Sequence, residues 1–228
     1  MRGYVIATSP RSGSTLLCTL LRSSGVAGWP QSWFREQNRA EFAADWQVDP
    51  QDAAAYLRAA IEAGTRGTGI FALRMMWGSL AEVEPWLGRG LNRINPLQWV
   101  WLERRDKVAQ AVSRHRAETS GIWHLGIEEA EFPKAPCYDF AAIHRYLTEA
   151  EGDAAGWGAW FAEQGVAPLR IFYEDLAADP VFQANRLITA LGMPAGQSPA
   201  AGTKRMANRE SADWASRYRC EAGLSLRS

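Results

Sequence analysis

Residues 4–24 read YVIATSPRSGSTLLCTLLRSS, and this stretch decides the fold. Its first part, Tyr4–Thr8, is short, apolar and rich in β-forming residues, which predicts a buried strand. Leucines then recur at helical spacing, so we expect a helix to begin between Ser12 and Thr15. A strand–turn–helix unit directs free backbone N–H groups and the positive end of the helix dipole towards the space beyond the strand. The sequence therefore predicts an anion site at this turn.

The turn also carries side chains that suit a phosphate or sulfate group. Arg11 adds a rigid cationic fork, and Gly13 lets the backbone approach a ligand closely. Hydroxyl donors stand beside them at Ser12, Ser14 and Thr15. Ser or Thr here can also simply cap a structural helix, but the dense Arg-Ser-Gly-Ser-Thr run favours a phosphate-type site. No Lys follows Gly13, so the turn is not a Walker A sequence, which counts against a nucleoside triphosphatase.

Composition indicates one large domain spanning residues 1–228. The chain is 47% hydrophobic and has a formal net charge of zero, so no general attraction to nucleic acid or an anionic membrane is expected. Its three cysteines are far apart and form no C-x-x-C motif, which favours a reducing compartment and argues against a zinc site. We see no targeting segment and no apolar run of ~20 residues, so the sequence predicts a cytoplasmic enzyme.

Strand and helix patterns alternate along the rest of the chain. Further strands are predicted at 69–73, 98–103 and 169–172. Helices are predicted at 35–46, from Asp49-Pro50 to Gly64, at 79–87, at 107–118 after an Asp106 cap, at 138–163 with an interruption or bend near 152–158, and from Asp179-Pro180 to Gly192. A long irregular stretch, 119–137, is typical of a lid, and the basic tail, 195–228, contains a short helix. This alternation predicts an α/β fold with a parallel sheet flanked by helices on both faces.

Arginines follow several of the predicted strands. They stand at Arg11, at Arg74 and at Arg104-Arg105. Because ligands of parallel sheets bind beyond the carboxyl ends of the strands, we expect these side chains to converge on a polyanion. The segment RRDKVAQAVS, residues 104–113, repeats the order of strand end, cap and helix, and Arg104 or Arg105 could grip a second phosphate together with Ser113.

The two segments together resemble the sulfotransferases that use 3′-phosphoadenosine-5′-phosphosulfate (PAPS), and in particular the bacterial trehalose 2-sulfotransferase family. The shared blocks are RSGSTLL (11–17), GVAGWPQ (25–31), LRMMW (73–77), RRDKVAQAVS (104–113), a Trp at 123, GWGAWF (156–161) and DWASRYR (213–219). The resemblance implies a P-loop-like fold, PAPS as co-substrate, no metal, a homodimer, and sulfuryl transfer to a hydroxyl of a carbohydrate or other small acceptor. It also implies that Arg11 stabilises the leaving phosphate and that Arg205, in the tail, closes over the 3′-phosphate.

The general base and the acceptor are left open by the sequence. In the trehalose enzymes a Glu follows the Pro-Gln pair, but here that position is Ser32, which cannot act as a base. Glu36, His115 and His124 are the alternatives, and His124 is favoured because it lies in the expected lid. We expect the acceptor beside Gln31 and Ser32. Trp33, Trp77 and Trp123 could form an aromatic wall for a sugar or lipid-linked acceptor such as a glycolipid precursor, and packing is the alternative role for at least one of them. Two other functions compete with sulfuryl transfer. The protein could be a Mg²⁺-dependent nucleotide kinase, or it could bind adenosine 3′,5′-bisphosphate (PAP) without catalysis.

Overall fold

The computed structural model describes residues 1–89, 94–123, 135–200 and 209–224. Within them the chain forms a sheet of β1 (Arg2–Thr8), β2 (Ile70–Met76), β3 (Leu97–Glu103) and β4 (Leu169–Phe172). All neighbouring strands pair in parallel, in the order β2–β1–β3–β4. The strand that begins the chain thus lies in the middle of the sheet, and the prediction of a parallel α/β fold is confirmed.

Helices connect and cover the strands. They are α1 (Ser14–Ser23), α2 (Glu36–Asp45), α3 (Ala53–Thr65), α4 (Leu80–Arg89), α5 (Lys107–Ser120), α6 (Phe140–Glu163), α7 (Tyr173–Ala178), α8 (Pro180–Ala190) and α9 (Arg209–Glu221). A single 3₁₀ turn, Trp77–Ser79, joins β2 to α4. Among the described residues, no helix is both long and apolar enough to cross a membrane.

Both faces of the sheet are buried, because side chains alternate along each strand. Tyr4 and Ile6 of β1 pack with leucines of α1 and α8 on one face. Val5 and Ala7 face the opposite side, where the core is built from α2, α3, α4 and the end of α6. The helices therefore cover both faces, as the sequence predicts.

A third apolar cluster lies beyond the carboxyl edge of the sheet. Helices α5, α6 and α9 enclose it, and its buried members are Val108, Ala111, Val112, Ile143, Tyr146, Leu147, Ala215 and Tyr218. The predicted tail helix is confirmed as α9, which an ion pair between Arg219 and Asp106 at 2.6 Å ties to the start of α5. These helices form one wall above the strand ends.

Two predicted helix features are wrong. Helix α3 begins at Ala53 rather than after Asp49-Pro50, because Asp52 is the cap and accepts hydrogen bonds from the N–H groups of Ala54 and Ala55. Helix α6 is continuous from Phe140 to Glu163 and is not interrupted at its glycines. Strand β2 also runs to Met76, beyond the predicted end.

Candidate functional site

A cleft of about 2520 Å³ opens at the carboxyl edge of the sheet. The loop after β1, the end of β2, the start of α5 and the middle of α6 form its walls. Its polar lining includes Arg11, Gly13, Ser14, Thr15, Glu36, Arg74, Asp106, Arg104, Ser113, Asp153 and Tyr173. The predicted anion loop and the second motif therefore open into the same space.

The loop after β1 has the backbone geometry of an anion-binding turn. Arg11 and Gly13 both have positive φ angles, 63° and 89°. A Cβ on Gly13 would lie 2.5 Å from Cδ2 of Tyr173, so only glycine fits here. Gly13 is also the N-cap of α1, and no side chain caps that helix. The hydroxyl groups of the loop therefore do not serve as an ordinary helix cap.

The hydroxyl groups of the loop have different surroundings. Ser12 is fully buried, and its Oγ donates to the carbonyl of Ser9 at 2.8 Å and contacts Thr8 Oγ1 at 2.5 Å. The Ser12 side chain therefore stabilises the loop through internal hydrogen bonds and does not line the cleft. Ser14 and Thr15 lie on the cleft wall beside Gly13. The structure thus brings Gly13, Ser14 and Thr15 together at the predicted site and gives the Ser12 side chain an internal position.

Arg11 joins the first motif to the second. Its Nε donates to Ser113 Oγ at 3.0 Å and its Nη1 donates to the carbonyl of Trp123 at 2.5 Å. Burial lowers the pKa of Arg11, and the positive charge of Arg104 lowers it further. A bound anion would oppose both effects, so this part of the cleft favours negative charge.

The two neighbouring arginines at the end of β3 point to different places. Arg104 is buried, lines the cleft and lies 4.5 Å from the ring centre of Tyr173. Arg105 is exposed and forms a bidentate ion pair with Asp175, with both N–O distances 2.8 Å. The structure therefore places Arg104, and not Arg105, beside Arg11 and Ser113.

Arg74 supplies a further cation from β2. It lines the cleft and donates to Ser32 Oγ at 3.0 Å, to Gln31 Oε1 at 3.3 Å and to Thr15 Oγ1 at 3.4 Å. Ser32 is buried and, like Gln31, does not itself line the cleft. These two residues therefore orient Arg74 instead of forming the cleft wall.

Only two of the three predicted acceptor tryptophans lie at the cleft. Trp77 and Trp123 line it. Trp33 is buried in the core, where its Nε1 donates to the carbonyl of Ala72 at 3.0 Å and its ring packs on Phe42 and Trp46. Its position is that of a packing residue.

The two predicted bases that the structure describes have different surroundings. Glu36 lines the cleft as the exposed first residue of α2. His115 is buried, contacts the carbonyl of Cys137 at 2.8 Å through Nε2, and is not part of the cleft wall. His124 and Arg205 lie outside the described residues. Among those described, no three His, Cys, Asp or Glu side chains are grouped so that they could hold a metal ion.

Tyr173 and Asp153 are among the cleft residues that sequence reasoning missed. Tyr173 directly follows β4, so the strand-end rule that selected the arginines also applies to it. Asp153 is different, because it lies in the middle of α6 and nothing in the local sequence distinguishes it from other acidic residues of that helix.

Comparison with known proteins identifies the family and agrees with the fold. Residues 3–221 match the Stf0 sulphotransferase family. A protein named trehalose 2-sulfotransferase from Mycobacterium tuberculosis (strain ATCC 35801 / TMC 107 / Erdman) is 28% identical, over 97% of this chain and 96% of its own. Its namesake from Mycolicibacterium smegmatis (strain ATCC 700084 / mc(2)155) is also 28% identical, over 98% and 97%. The solved sulfotransferase domain from the curacin biosynthetic pathway shares the fold, with a TM-score of 0.52, 14% identity and 99% coverage of both chains.

Proposed function

The chain belongs to the Stf0 sulphotransferase family, and on that premise we propose that it transfers a sulfuryl group from PAPS to a hydroxyl of a small carbohydrate. The names of the two mycobacterial relatives make trehalose the first acceptor to examine. The family assignment favours sulfuryl transfer over the Mg²⁺-dependent phosphoryl transfer that the sequence left open.

The observation that carries the proposal is the hydrogen bond between Arg11 and Ser113. It places the uncapped N-terminus of α1 next to Ser113 of α5, with Arg104 beside them. PAPS carries one anionic group at its 5′ position and a second at its 3′ position. A helix N-terminus with Arg11 suits the first group, and Arg104 with Ser113 suits the second. The donor set therefore fits the nucleotide.

The reaction needs stabilisation of the charge that develops on the leaving phosphate. Arg11 and the backbone N–H groups at the start of α1 are fixed donors for that charge, and one such donor is typically worth about 3–4 kcal/mol of barrier. Arg74 is oriented by Ser32 and Gln31 towards the same cleft and supports the sulfuryl oxygens. Trp77 and Trp123 offer aromatic surface for a sugar ring.

Several further proposals rest on the sequence pattern and on the resemblance. We propose that the protein is cytoplasmic and homodimeric, and that the 119–137 and 195–228 segments close over bound nucleotide. A second function is favoured by one observation: Ser32, where the resemblance implies a Glu, accepts a hydrogen bond from Arg74. A PAP-binding protein without turnover is therefore the competing proposal.

The test is transfer of ³⁵S from labelled PAPS to trehalose, glucose and methyl glucoside. We expect turnover by the unmodified protein and a loss of about 10²–10³-fold in kcat for Arg11→Ala. Arg105→Ala is the matched control, since it removes an arginine that lies outside the cleft, and it should retain activity. Transfer by Arg11→Ala at the unmodified rate would reject the assignment of the loop, and PAP binding without transfer to any sugar would support the non-catalytic alternative.

A further inference from the structure

We propose that Asp153, on α6, accepts the proton of the acceptor hydroxyl during sulfuryl transfer. This inference rests on the proposed function and names a catalytic residue for it. Its starting point is that the acceptor hydroxyl must lose a proton, for which the carboxylates that line the cleft are the candidate bases.

The position of Asp153 is fixed by contacts of the next helical turn. Trp157 Nε1 donates to the carbonyl of Thr8, the last residue of β1, at 2.9 Å. Gly156 packs directly against the ring of Trp77. Residues four apart share one face of a helix, so Asp153 lies about 6 Å from Trp157 along the axis, towards the N-terminus of α6, on the face that covers the end of β1. It lines the cleft together with Arg11, Gly13 and Trp77.

Elimination among the cleft carboxylates also leads to Asp153. Most of these carboxylates already have partners. Glu82 accepts a hydrogen bond from the backbone N–H of Glu36, and Glu174 accepts hydrogen bonds from the backbone N–H groups of Arg105 and Asp106. Asp106 forms an ion pair with Arg219, and Glu118 and Glu149 both form ion pairs with Arg114. Among the described residues, Asp153 forms no hydrogen bond or ion pair. Its carboxylate is therefore available to a ligand in the cleft.

Glu36 is the other available carboxylate, and its surroundings suit a base less well. It is the first residue of α2 and is exposed to solvent. Asp153 is half-buried, and burial raises its pKa, as does the negative charge of Glu149. Arg114 and Lys107 of α5 act in the opposite direction. A carboxylate with a raised pKa is a stronger base for a hydroxyl proton.

The step balances without a further reactant. The acceptor oxygen forms a bond to sulfur while the bond between sulfur and the 5′-phosphate oxygen breaks, and the electron pair of that bond stays on the phosphate. The hydroxyl proton passes to an Oδ atom of Asp153 and then to solvent through the open cleft. The products are the sulfate ester and PAP.

The experiment compares Asp153→Asn with Glu36→Gln and with Glu151→Gln, an exposed control on the same helix that lies outside the cleft. The assay is ³⁵S transfer to trehalose, glucose and methyl glucoside between pH 4 and 9, with PAP affinity measured in parallel. We expect Asp153→Asn to lose 10²–10⁴-fold in kcat and to bind PAP within about twofold of the unmodified protein. The fall in kcat at low pH that we expect for the unmodified enzyme should be absent from Asp153→Asn. Added formate should partly restore turnover to Asp153→Ala.

Two results would overturn the assignment of Asp153. One is an unchanged kcat and pH profile in Asp153→Asn, and the other is a loss of transfer in Glu36→Gln in its place. If Asp153→Asn folds poorly, the pH profile of the unmodified enzyme provides the test. A kcat that does not fall at the low pH where a carboxylate becomes protonated would also overturn the assignment. Absence of transfer to every sugar by the unmodified enzyme would instead reject the proposed function itself.

Discussion

Replacing Gly156 by Ala tests how α6 is seated above the sheet. A Cβ at this position would lie 2.3 Å from Cε2 and 2.4 Å from Cζ2 of Trp77. Ordinary carbon contacts are about 3.5–4.0 Å, so the indole ring or the helix would have to move by more than about 1 Å. Neither moves easily, because the Trp77 ring packs edge-on against Trp157 at 5.3 Å and Trp157 is bonded to Thr8.

Gly152, one turn earlier in α6, provides the matched control. A Cβ there would meet nothing within 4 Å. Both substitutions gain the same helix propensity, about 0.8–1.0 kcal/mol, so the difference between them is the steric cost at Gly156, about 1–3 kcal/mol. For a chain of this size, each kcal/mol shifts Tm by about 2–4 °C.

The assay is urea and thermal unfolding followed by far-UV circular dichroism. Gly152→Ala should be slightly more stable than the unmodified protein, and Gly156→Ala should be less stable than Gly152→Ala by the steric cost. Equal unfolding free energies for the two variants would refute the reasoning that the packing of Trp77 requires a glycine at position 156.

Three other predictions concern the nucleotide site and the thiols. Arg104→Ala should weaken PAP binding at least tenfold, as calorimetry can measure, whereas Arg105→Ala should leave it unchanged; equal effects would contradict the placement of Arg104. Ser113→Ala should reduce affinity for PAP far more than for 5′-AMP, because its hydroxyl faces the proposed 3′-phosphate; an equal loss for both would remove Ser113 from that site. Burial raises the pKa of the Cys18 thiol, and because the thiolate is the reactive form, Ellman's reagent should label only the two exposed cysteines of the native protein; rapid labelling of all three would contradict this.

The sheet could be predicted from sequence because its signals are local. Each strand is a short apolar run, and Asp106 and Asp179 are visible caps that do bond the N–H groups of the following helices. The predicted start of α3 is wrong because Asp49-Pro50 has the form of a cap, whereas the side chain that accepts hydrogen bonds from the helix N–H groups is that of Asp52, three residues later. Two plausible caps so close together cannot be ranked by residue type.

Tertiary contacts account for what sequence reasoning missed. A glycine in a helix suggests an interruption, but Gly156 makes room for Trp77, which lies 79 positions earlier in the chain. Ser12 looks like a ligand donor in the motif, yet its hydroxyl bonds within the loop. Likewise, only the packing of α6 on the end of β1 brings Asp153 to the cleft. The placements of Gly156 and Asp153 depend on partners distant in sequence, so no local pattern indicates them.

Calorimetric titration with PAP tests the central claim most directly, with 5′-AMP and ATP as controls and with each titration run without and with Mg²⁺. The arrangement of Arg11, Arg104 and Ser113 predicts tight binding of PAP that does not require Mg²⁺, and weaker binding of both controls. A preference for ATP in the presence of Mg²⁺ would contradict the account and indicate a phosphoryl transferase built on the same fold.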